Sequence, residues 1–327
     1  MHFLLGLSSI ALFMFGSSLA LRLLHGVGSW RHRRYVQCLV LSVPLASLGL
    51  GLVGLHHFSG RACLRDAPSW DSLVELAIPL GMGLIVLGAL CLGVVRLALM
   101  ARVVSSRSVA AGSDLQSLAD ELAERLGVPH VPIRLCAYDR PLALSSGVFH
   151  PTMVLSTWMV KYLDHRELEA VLEHELGHVA RRDYPVMWLA TVLRDAFFYL
   201  PTSWAAFRQL SREKELACDD LVVGSTNRPL ALASALAKVW FDRADGARYA
   251  RLGVAQQVIG AGESINERIE RLLDSPKATE NRQRSRMGML WVSIAAFVGL
   301  VLLEAANVAV LLTLMGCGPT FLLGRVF

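Results

Sequence analysis

The sequence predicts a mainly α-helical, multi-pass membrane protein that carries one small α+β domain between its apolar segments. Of its 327 residues, 54% are hydrophobic and only 18% are charged, whereas soluble domains carry about 25% charged residues. This composition argues against a purely soluble enzyme and excludes a disordered chain. Three uncharged runs of about 20 residues are each long enough to cross a bilayer as a helix: Phe3–Leu21, Val36–Leu55 and Leu76–Val95. A fourth run, Met287–Leu303, continues through Glu304 to Met315, so four spans are predicted.

Arginines beside the apolar runs predict the orientation of the chain. The loop of residues 22–35 carries four arginines, so the positive-inside rule assigns this loop to the cytoplasm and the N-terminus to the outside. Alternation across the bilayer then returns the chain to the cytoplasm at Arg96. The predicted organisation is a membrane domain with three helices at 1–100, a cytoplasmic domain at 101–286, and a fourth helix with a short extracellular tail at 287–327.

The net charge of +5 does not indicate a nucleic-acid partner. Residues 101–286 hold 24 basic and 23 acidic side chains, so the positive excess lies at the flanks of the membrane segments. A DNA or RNA groove would instead concentrate basic residues within the folded domain. The six cysteines are scattered without a C-x-x-C pair, which argues against a disulfide framework and against a cysteine-bound metal.

The cytoplasmic segment begins with one helix and a small sheet. Ser113 opens an amphipathic helix that ends at Gly127. Two short β-favouring runs follow, Ile133–Tyr138 and Thr152–Leu155, and turn residues separate them. The sequence therefore predicts a small antiparallel sheet here.

The helices predicted after the sheet hold most of the polar motifs. Asp164 and Glu167 form a capping-box pattern at the start of a helix that runs to about Arg182. The apolar stretch Tyr184–Leu200 contains an Arg-Asp pair, which favours a helix at the membrane surface or buried against the spans over a fifth span. A further helix is predicted over Trp204–Val223.

The helix after Asp164 contains the sequence His174-Glu175-Leu176-Gly177-His178. Histidines four residues apart project from one face of a helix, so both can bind one ion, and the H-E-x-x-H spacing is that of zinc peptidases. A chance match in a chain with these His and Glu frequencies has an expectation on the order of 0.01. We therefore predict that His174 and His178 bind Zn²⁺ and that Glu175 acts on a water molecule rather than as a ligand.

A glutamate on a later helix is predicted to be the third zinc ligand, as in gluzincins. Glu215 is favoured over Glu213, because Asp219 lies one helical turn beyond Glu215 and can accept the second ring N–H of a ligating histidine. Cys218 is not expected to bind, since zinc hydrolases with this motif use two histidines and a glutamate. Asp183 has two open roles, one beside the metal ligands and one as the cap of the next helix.

Three protein ligands leave a fourth position for water. Zinc lowers the pKa of such a water from about 16 to about 7, so Glu175 is expected to take its proton and later to protonate the leaving amine. A group that stabilises the oxyanion is also expected, and the sequence leaves four choices open: His165, Arg181, Tyr184 and Arg212.

Together these segments resemble the BlaR/MecR-type membrane zinc metallopeptidases, the antirepressor peptidases of bacterial β-lactam signalling. The resemblance covers most of the chain and is strongest over Val131–Val223. It depends on the H-E-x-x-H helix and on four further segments: Arg181–Asp183, Gly147–Ser156, Phe197–Trp204 and Glu215–Asp220. Three apolar runs before the peptidase domain and one after it fit the same plan.

The resemblance implies a zinc endopeptidase in the bacterial inner membrane, with a gluzincin-type α+β domain whose active site faces the cytoplasm. Its substrate would be a cytoplasmic or membrane-proximal protein, such as a repressor or the protein itself, and the polar linker Asp274–Arg286 is the hypothesised region of self-cleavage. Antibiotic-sensing members carry an extracellular penicillin-binding domain after the last span. This chain has Gly316–Phe327 there, so direct covalent β-lactam sensing is not expected.

Two other functions stay open on the sequence. One is a quality-control or processing peptidase similar to HtpX or the CAAX prenyl proteases, which share H-E-x-x-H and E-x-x-x-D motifs but arrange their spans differently. The other is a non-catalytic membrane signal transducer, although a structural zinc site would not need Glu175. The expected partners are a protein or peptide substrate and the lipid bilayer, and the sequence leaves open a homo-oligomer or a separate sensor protein. The strand near Thr152–Leu155 suggests that an extended peptide binds at a sheet edge beside the H-E-x-x-H helix.

Overall fold

The computed structural model of the protein describes residues 37, 38, 41, 69–226, 229–246 and 262–273. These residues are mainly helical with one four-stranded sheet. The chain divides into two compact units: one consists of Met1–Cys91, Val192–Gln209 and Asn281–Phe327, and the other of Leu92–Thr191 and Leu210–Glu280. The second unit contains the sheet and the candidate site. The predicted linker at residues 274–286 lies outside the described residues.

Helix α1 (Ser69–Arg107) is the one helix, among the described residues, that is long and apolar enough to cross a membrane. Its qualifying stretch, Leu80–Arg107, has 28 residues and a mean hydropathy that reaches 2.5. Only 11% of its most apolar window is buried among the described residues, and by length and composition the helix can cross a membrane. The predicted span Leu76–Val95 lies within α1. The other predicted spans lie outside the described residues, apart from three residues of the second.

Four short strands form a mixed sheet in the order β1-β2-β4-β3. They are β1 (Ser108–Ala110), β2 (Ile133–Cys136), β3 (Ala143–Ser146) and β4 (Thr152–Ser156). The pairs β1–β2 and β3–β4 are antiparallel, whereas β2 and β4 are parallel. The prediction of an antiparallel sheet is therefore wrong for the central pair. The chain forms the outer strand β3 first and then returns between β3 and β2, so β4 must run in the same direction as β2.

The main hydrophobic core lies between the sheet, helix α2 (Ser113–Leu126) and helix α4 (His165–Ala180). Leu172 and Leu176 of α4 are fully buried in this core. Residues two positions apart on a helix point about 200° apart, so the same packing turns His174 and His178 toward the opposite side of α4. Other core members come from α2, β2 and β4: Ala119, Leu122, Ala123, Ile133, Met153 and Leu155.

Helix α4 begins at the predicted capping box. The Asp164 carboxylate accepts hydrogen bonds from the backbone N–H groups of Arg166 and Glu167, at 2.8 and 2.9 Å. The Glu167 carboxylate in turn accepts from the backbone N–H of Asp164 at 2.9 Å. This prediction is confirmed, because the donors at a helix start have no partners within the helix and require such acceptors. Helix α3 (Thr157–Tyr162) links β4 to this point.

Four further helices complete the described chain: α5 (Asp183–Ala196), α6 (Pro201–Thr226), α7 (Pro229–Gly246) and α8 (Gly262–Leu273). The 14 residues of α5 correspond to about 21 Å, so α5 alone cannot cross the roughly 30 Å hydrocarbon layer. Arg194 at its end pairs with Asp195 at 2.6 Å. The Arg194 guanidinium also lies over the rings of Trp204 and Phe207, at 4.8 and 4.4 Å from their centroids. The Arg194 guanidinium in this apolar stretch therefore has both an acidic and two aromatic partners.

We expect the Glu167→Gln substitution to lower the free energy of unfolding at pH 7 by about 2 kcal/mol. The buried Glu167 carboxylate accepts from Lys238 Nζ and Ser234 Oγ, each at 2.6 Å. Burial opposes its ionisation, but Lys238, Ser234 and the Asp164 N–H together lower the pKa of Glu167. A lowered pKa stabilises the folded protein above the unfolded-state pKa of about 4.3, and this stabilisation is lost as the pH falls through the folded-state pKa.

Chemical unfolding of the wild type and of Glu167→Gln at pH 7 and at pH 3 measures this effect. The difference between the two proteins should shrink at the lower pH. Glu121→Gln is the matched control, because Glu121 is exposed and pairs only across one helical turn with Arg125, an arrangement that contributes about 0.5 kcal/mol or less. Equal stability of Glu167→Gln and wild type at pH 7 would contradict the prediction.

Candidate metal centre

Helix α4 presents two buried histidines on one face. His174 and His178 are 7% and 8% exposed, and their ring centroids lie 4.8 Å apart with the rings nearly perpendicular. Glu175, which is 8% exposed, follows His174 directly on the same helix. Because the opposite side of α4 is anchored in the core, the histidine pair is held on a rigid element.

Helix α6 brings a carboxylate to the two histidines. Glu215 Oε2 lies 3.4 Å from His174 Nε2, and Glu215 Oε1 lies 3.8 Å from His178 Nε2. The three donor atoms all lie within 4.8 Å of one another. In a tetrahedral zinc site with bonds of about 2.1 Å, neighbouring donors lie about 3.4 Å apart, so these separations suit a single zinc ion. Of the two glutamates considered on sequence grounds, the structure brings Glu215 and not Glu213 into this group.

Asp219 lies one turn after Glu215 and contacts the other nitrogen of His174. Its Oδ1 is 3.1 Å from His174 Nδ1, and it is 3% exposed. The sequence argument anticipated this contact. It did not anticipate Arg268 of helix α8, whose guanidinium donates to both Asp219 oxygens at 2.7 Å and to Glu215 Oε2 at 3.1 Å. Arg268 follows Asp219 by 49 residues, and no local spacing pattern could have identified it.

Residues 73–272 match the BlaR1 peptidase M56 family. This range covers more than half of the 327 residues, and it contains every residue of the candidate metal centre. The chain belongs to the BlaR1 peptidase M56 family. The family match therefore confirms the BlaR/MecR-type resemblance.

Curated relatives of this M56 protein include homologues of the protease HtpX. Protease HtpX homolog 1 of Streptomyces coelicolor is 29% identical over 164 residues, which cover 39% of this chain and 54% of that protein. The protease HtpX homolog of Pyrobaculum calidifontis is 38% identical over 88 residues, or 26% of each protein. The chain thus spans about half or less of these relatives. A crystal structure of Ste24p from S. mikatae has a TM-score of 0.40 and 16% identity over 73% of this chain and 64% of that chain, a score too low to establish a shared fold.

Positively charged side chains and histidines surround the Glu215 carboxylate in the M56 site. Burial disfavours the ionised carboxylate, but Lys214, His174, His178 and Arg268 together hold the pKa of Glu215 well below its usual range. Lys214 Nζ contacts Glu215 Oε1 at 3.1 Å. Lys214 is a second residue that sequence reasoning missed, although it directly precedes the favoured glutamate.

Two carboxylates favour the protonated form of His174. Burial disfavours its charged form, but the carboxylates of Asp219 and Glu215 outweigh burial and raise its pKa to about 9. A metal ligand must be the neutral imidazole, so metal binding at this site should release the proton. The same two carboxylates that favour the proton would favour a cation in its place.

Two of the four residues considered for oxyanion stabilisation are already engaged by carboxylates in the structure. Arg212 forms two bonds with Glu267, and Arg181 donates to Asp183 at 3.1 Å. His165 is exposed at the start of α4, nine residues before His174, and Tyr184 is half-buried at the start of α5. Neither of these two has a described hydrogen bond that orients it toward the metal centre.

Proposed function

We propose that this M56 protein is a membrane-embedded, zinc-dependent endopeptidase that cleaves a cytoplasmic or membrane-proximal protein in a signalling role. The observation that carries the proposal is the gathering of His174, His178 and Glu215 donor atoms within 4.8 Å, with Glu175 on the same helix. Two imidazoles and one carboxylate are a ligand set typical of catalytic zinc, which keeps one position open.

His174, His178 and Glu215 would hold the zinc ion. When bound, zinc lowers the pKa of a water molecule to about 7 and polarises a carbonyl group. Glu175 would accept the proton of the attacking water and deliver it to the leaving amine, a general acid–base role. Asp219 would accept the Nδ1–H of His174 and keep that ring in the tautomer that leaves Nε2 free to bind.

The strand order of the sheet favours a different binding strand for an extended substrate from the one that the sequence indicated. The sequence indicated that an extended peptide would bind beside Thr152–Leu155. In the structure this segment is β4, which pairs with β2 on one side and with β3 on the other. Strand β3 is an edge of the described sheet, so we propose that an extended substrate pairs with β3 (Ala143–Ser146) by strand addition.

We also propose the predicted topology in the bacterial inner membrane: three helices at residues 1–100, a cytoplasmic peptidase domain at 101–286, and a fourth helix with a short extracellular tail at 287–327. The apolar helix α1 and the arginines beside the apolar runs support this arrangement. Cysteine-accessibility labelling of positions 25, 60 and 320 in intact cells tests it. We expect labelling at positions 60 and 320, which the topology places outside the cell, and no labelling at position 25, which it places in the cytoplasm.

A processing role like that of the HtpX proteases is the second candidate, and the sequence similarity to HtpX homologues favours it. The two roles predict different substrates. A signalling peptidase should cleave one or a few proteins, such as a repressor or its own linker at 274–286, whereas a quality-control peptidase should cleave many damaged membrane proteins. Comparison of new protein N-termini in cells that express the wild type or Glu175→Gln distinguishes these patterns.

Metal removal tests the core of the proposal. We expect the purified full-length chain to bind one zinc ion and to cleave peptides from a quenched-fluorescent library. A chelator should abolish this cleavage, and added Zn²⁺ should restore it. Glu215→Ala should lose most of the zinc, whereas the control Glu213→Ala should keep it. Cleavage that persists in metal-free protein, or wild type that binds no zinc, would refute the proposal.

A further inference from the structure

A second buried cluster contacts His178 on the side away from Glu215. His178 Nδ1 lies 2.9 Å from Asp183 Oδ2 and 3.2 Å from Cys218 Sγ. Asp183 is 4% exposed and Cys218 is fully buried. The Nδ1–Oδ2 distance is that of a strong hydrogen bond, so the Asp183 carboxylate accepts the Nδ1–H of His178 and leaves Nε2 as the nitrogen with a free lone pair.

The same three residues could in principle form a metal site, but an arginine already neutralises the carboxylate. Arg181 Nε donates to Asp183 Oδ2 at 3.1 Å, which is the same oxygen that contacts His178. The Arg181 side chain is only 6% exposed. The Asp183 oxygen that faces His178 is thus already shared between two hydrogen-bonding partners. The cluster is therefore better described as a hydrogen-bond network behind His178.

The backbone between α4 and α5 is shaped to return Asp183 to His178. Arg182 has φ of 53° and is the one described non-glycine residue in the left-handed region. Hydrogen bonds from Arg181 N to Gly177 O and from Arg182 N to Val179 O close this turn, at 3.1 and 2.9 Å. A non-glycine residue adopts this conformation uncommonly, and it persists where the surrounding contacts require it.

Each histidine of the metal centre has a buried carboxylate beside Nδ1, although of the two only His178 makes a hydrogen bond to its carboxylate. His174 Nδ1 faces Asp219, which Arg268 binds, and His178 Nδ1 faces Asp183, which Arg181 binds. In both cases an arginine holds a buried carboxylate, and the carboxylate faces the ring nitrogen that does not point to Glu215. Only the first of these pairs lies on the E-x-x-x-D motif.

We propose that Asp183, held by Arg181 and by the left-handed turn at Arg182, is the positioning residue for His178. It fixes the Nδ1–H tautomer and the ring plane, so that Nε2 points to the metal. Asp183 is also the first residue of α5, so its negative charge interacts favourably with the helix N-terminus. This interaction is compatible with the hydrogen bond to His178. The proposal rests on the proposed zinc site.

Metal binding to the full-length protein tests this role. Zn²⁺ affinity is measured by chelator competition, and the Co²⁺-loaded protein reports ligand geometry through its absorption spectrum. We expect Asp183→Ala to weaken Zn²⁺ binding by about 10- to 100-fold and to change the Co²⁺ spectrum at saturating metal. Asp183→Asn should recover much of the affinity, because the amide oxygen can still accept the Nδ1–H. Asp220→Ala is the control, since Asp220 pairs with Arg271 at the surface.

The outcomes separate this inference from the proposed function. If the wild type binds no metal, the proposed function fails. If the wild type binds zinc and Asp183→Ala binds it within twofold with an unchanged Co²⁺ spectrum, Asp183 is only a structural residue and the inference is overturned. If Asp183→Ala does not fold, Arg181→Met is measured instead. A several-fold loss of Zn²⁺ affinity in that variant supports the inference, and unchanged affinity overturns it.

Discussion

Replacement of Glu175 by glutamine is expected to reduce peptide hydrolysis by about 10²- to 10⁴-fold while zinc stays bound. The amide has nearly the same shape as the carboxylate but cannot take a proton from water. Zinc should be retained because the three donor groups that gather in the structure come from His174, His178 and Glu215. The measurement is kcat/KM on a quenched-fluorescent peptide, together with the zinc content of the same preparation.

Glu169→Gln is the matched control for this substitution. Glu169 lies on the same helix, is mostly buried, and contacts Arg125 at 3.6 Å. We expect its hydrolysis rate to stay within about twofold of wild type, as for a residue that contacts no reacting group. Persistence of cleavage in Glu175→Gln would show that another group acts as the base. Loss of zinc in that variant would show that Glu175 is a ligand.

The Arg268→Met substitution is expected to cause the largest loss of stability, about 3 to 5 kcal/mol in the metal-free protein. Arg268 is 7% exposed, and burial lowers its pKa less than Asp219 and Glu215 raise it, so that it stays charged. Its removal takes away the guanidinium that donates to both the Asp219 and the Glu215 carboxylates. Zinc would restore positive charge beside Glu215, so the loss should be smaller in the zinc-loaded protein.

Unfolding in detergent, with and without zinc, measures both effects. Arg271→Met is the matched control on the same helix, since Arg271 pairs with Asp220 and their side chains are 39% and 46% exposed. An exposed pair of this kind contributes about 1 kcal/mol or less. Equal destabilisation by the two substitutions would contradict the assignment of Arg268 as the cation that neutralises the metal centre.

Local patterns predicted the parts of the structure that depend on neighbours in sequence. The start of α4 follows from Asp164 and Glu167, whose side chains bond to backbone groups within one turn. The end of α2 follows from Gly127, which adopts the left-handed conformation with φ of 65°. The spacing of His174 and His178 likewise places both rings on one helix face, whatever surrounds the helix.

Contacts between distant segments could not be read from such patterns. The strands β2 and β4 were predicted from their composition, but apolar alternation does not specify a partner or a direction, so the parallel pairing was missed. Glu215 was inferred to lie beside the histidines only because Asp219 follows it by one helical turn. Arg268 has no such neighbour and was not found.

The sequence by itself determined the apolar character of the chain, the start of α4, the end of α2 and the H-E-x-x-H face, because each of these local features depends on residues within about one helical turn of one another. Only the tertiary structure decided the order of the sheet and brought Arg268 and Arg181 to the carboxylates behind the two histidines. The contacts of these arginines and carboxylates join α4, α5, α6 and α8, and they form only when the helices pack. A buried charge needs a partner, and that partner can come from any segment that packs beside it.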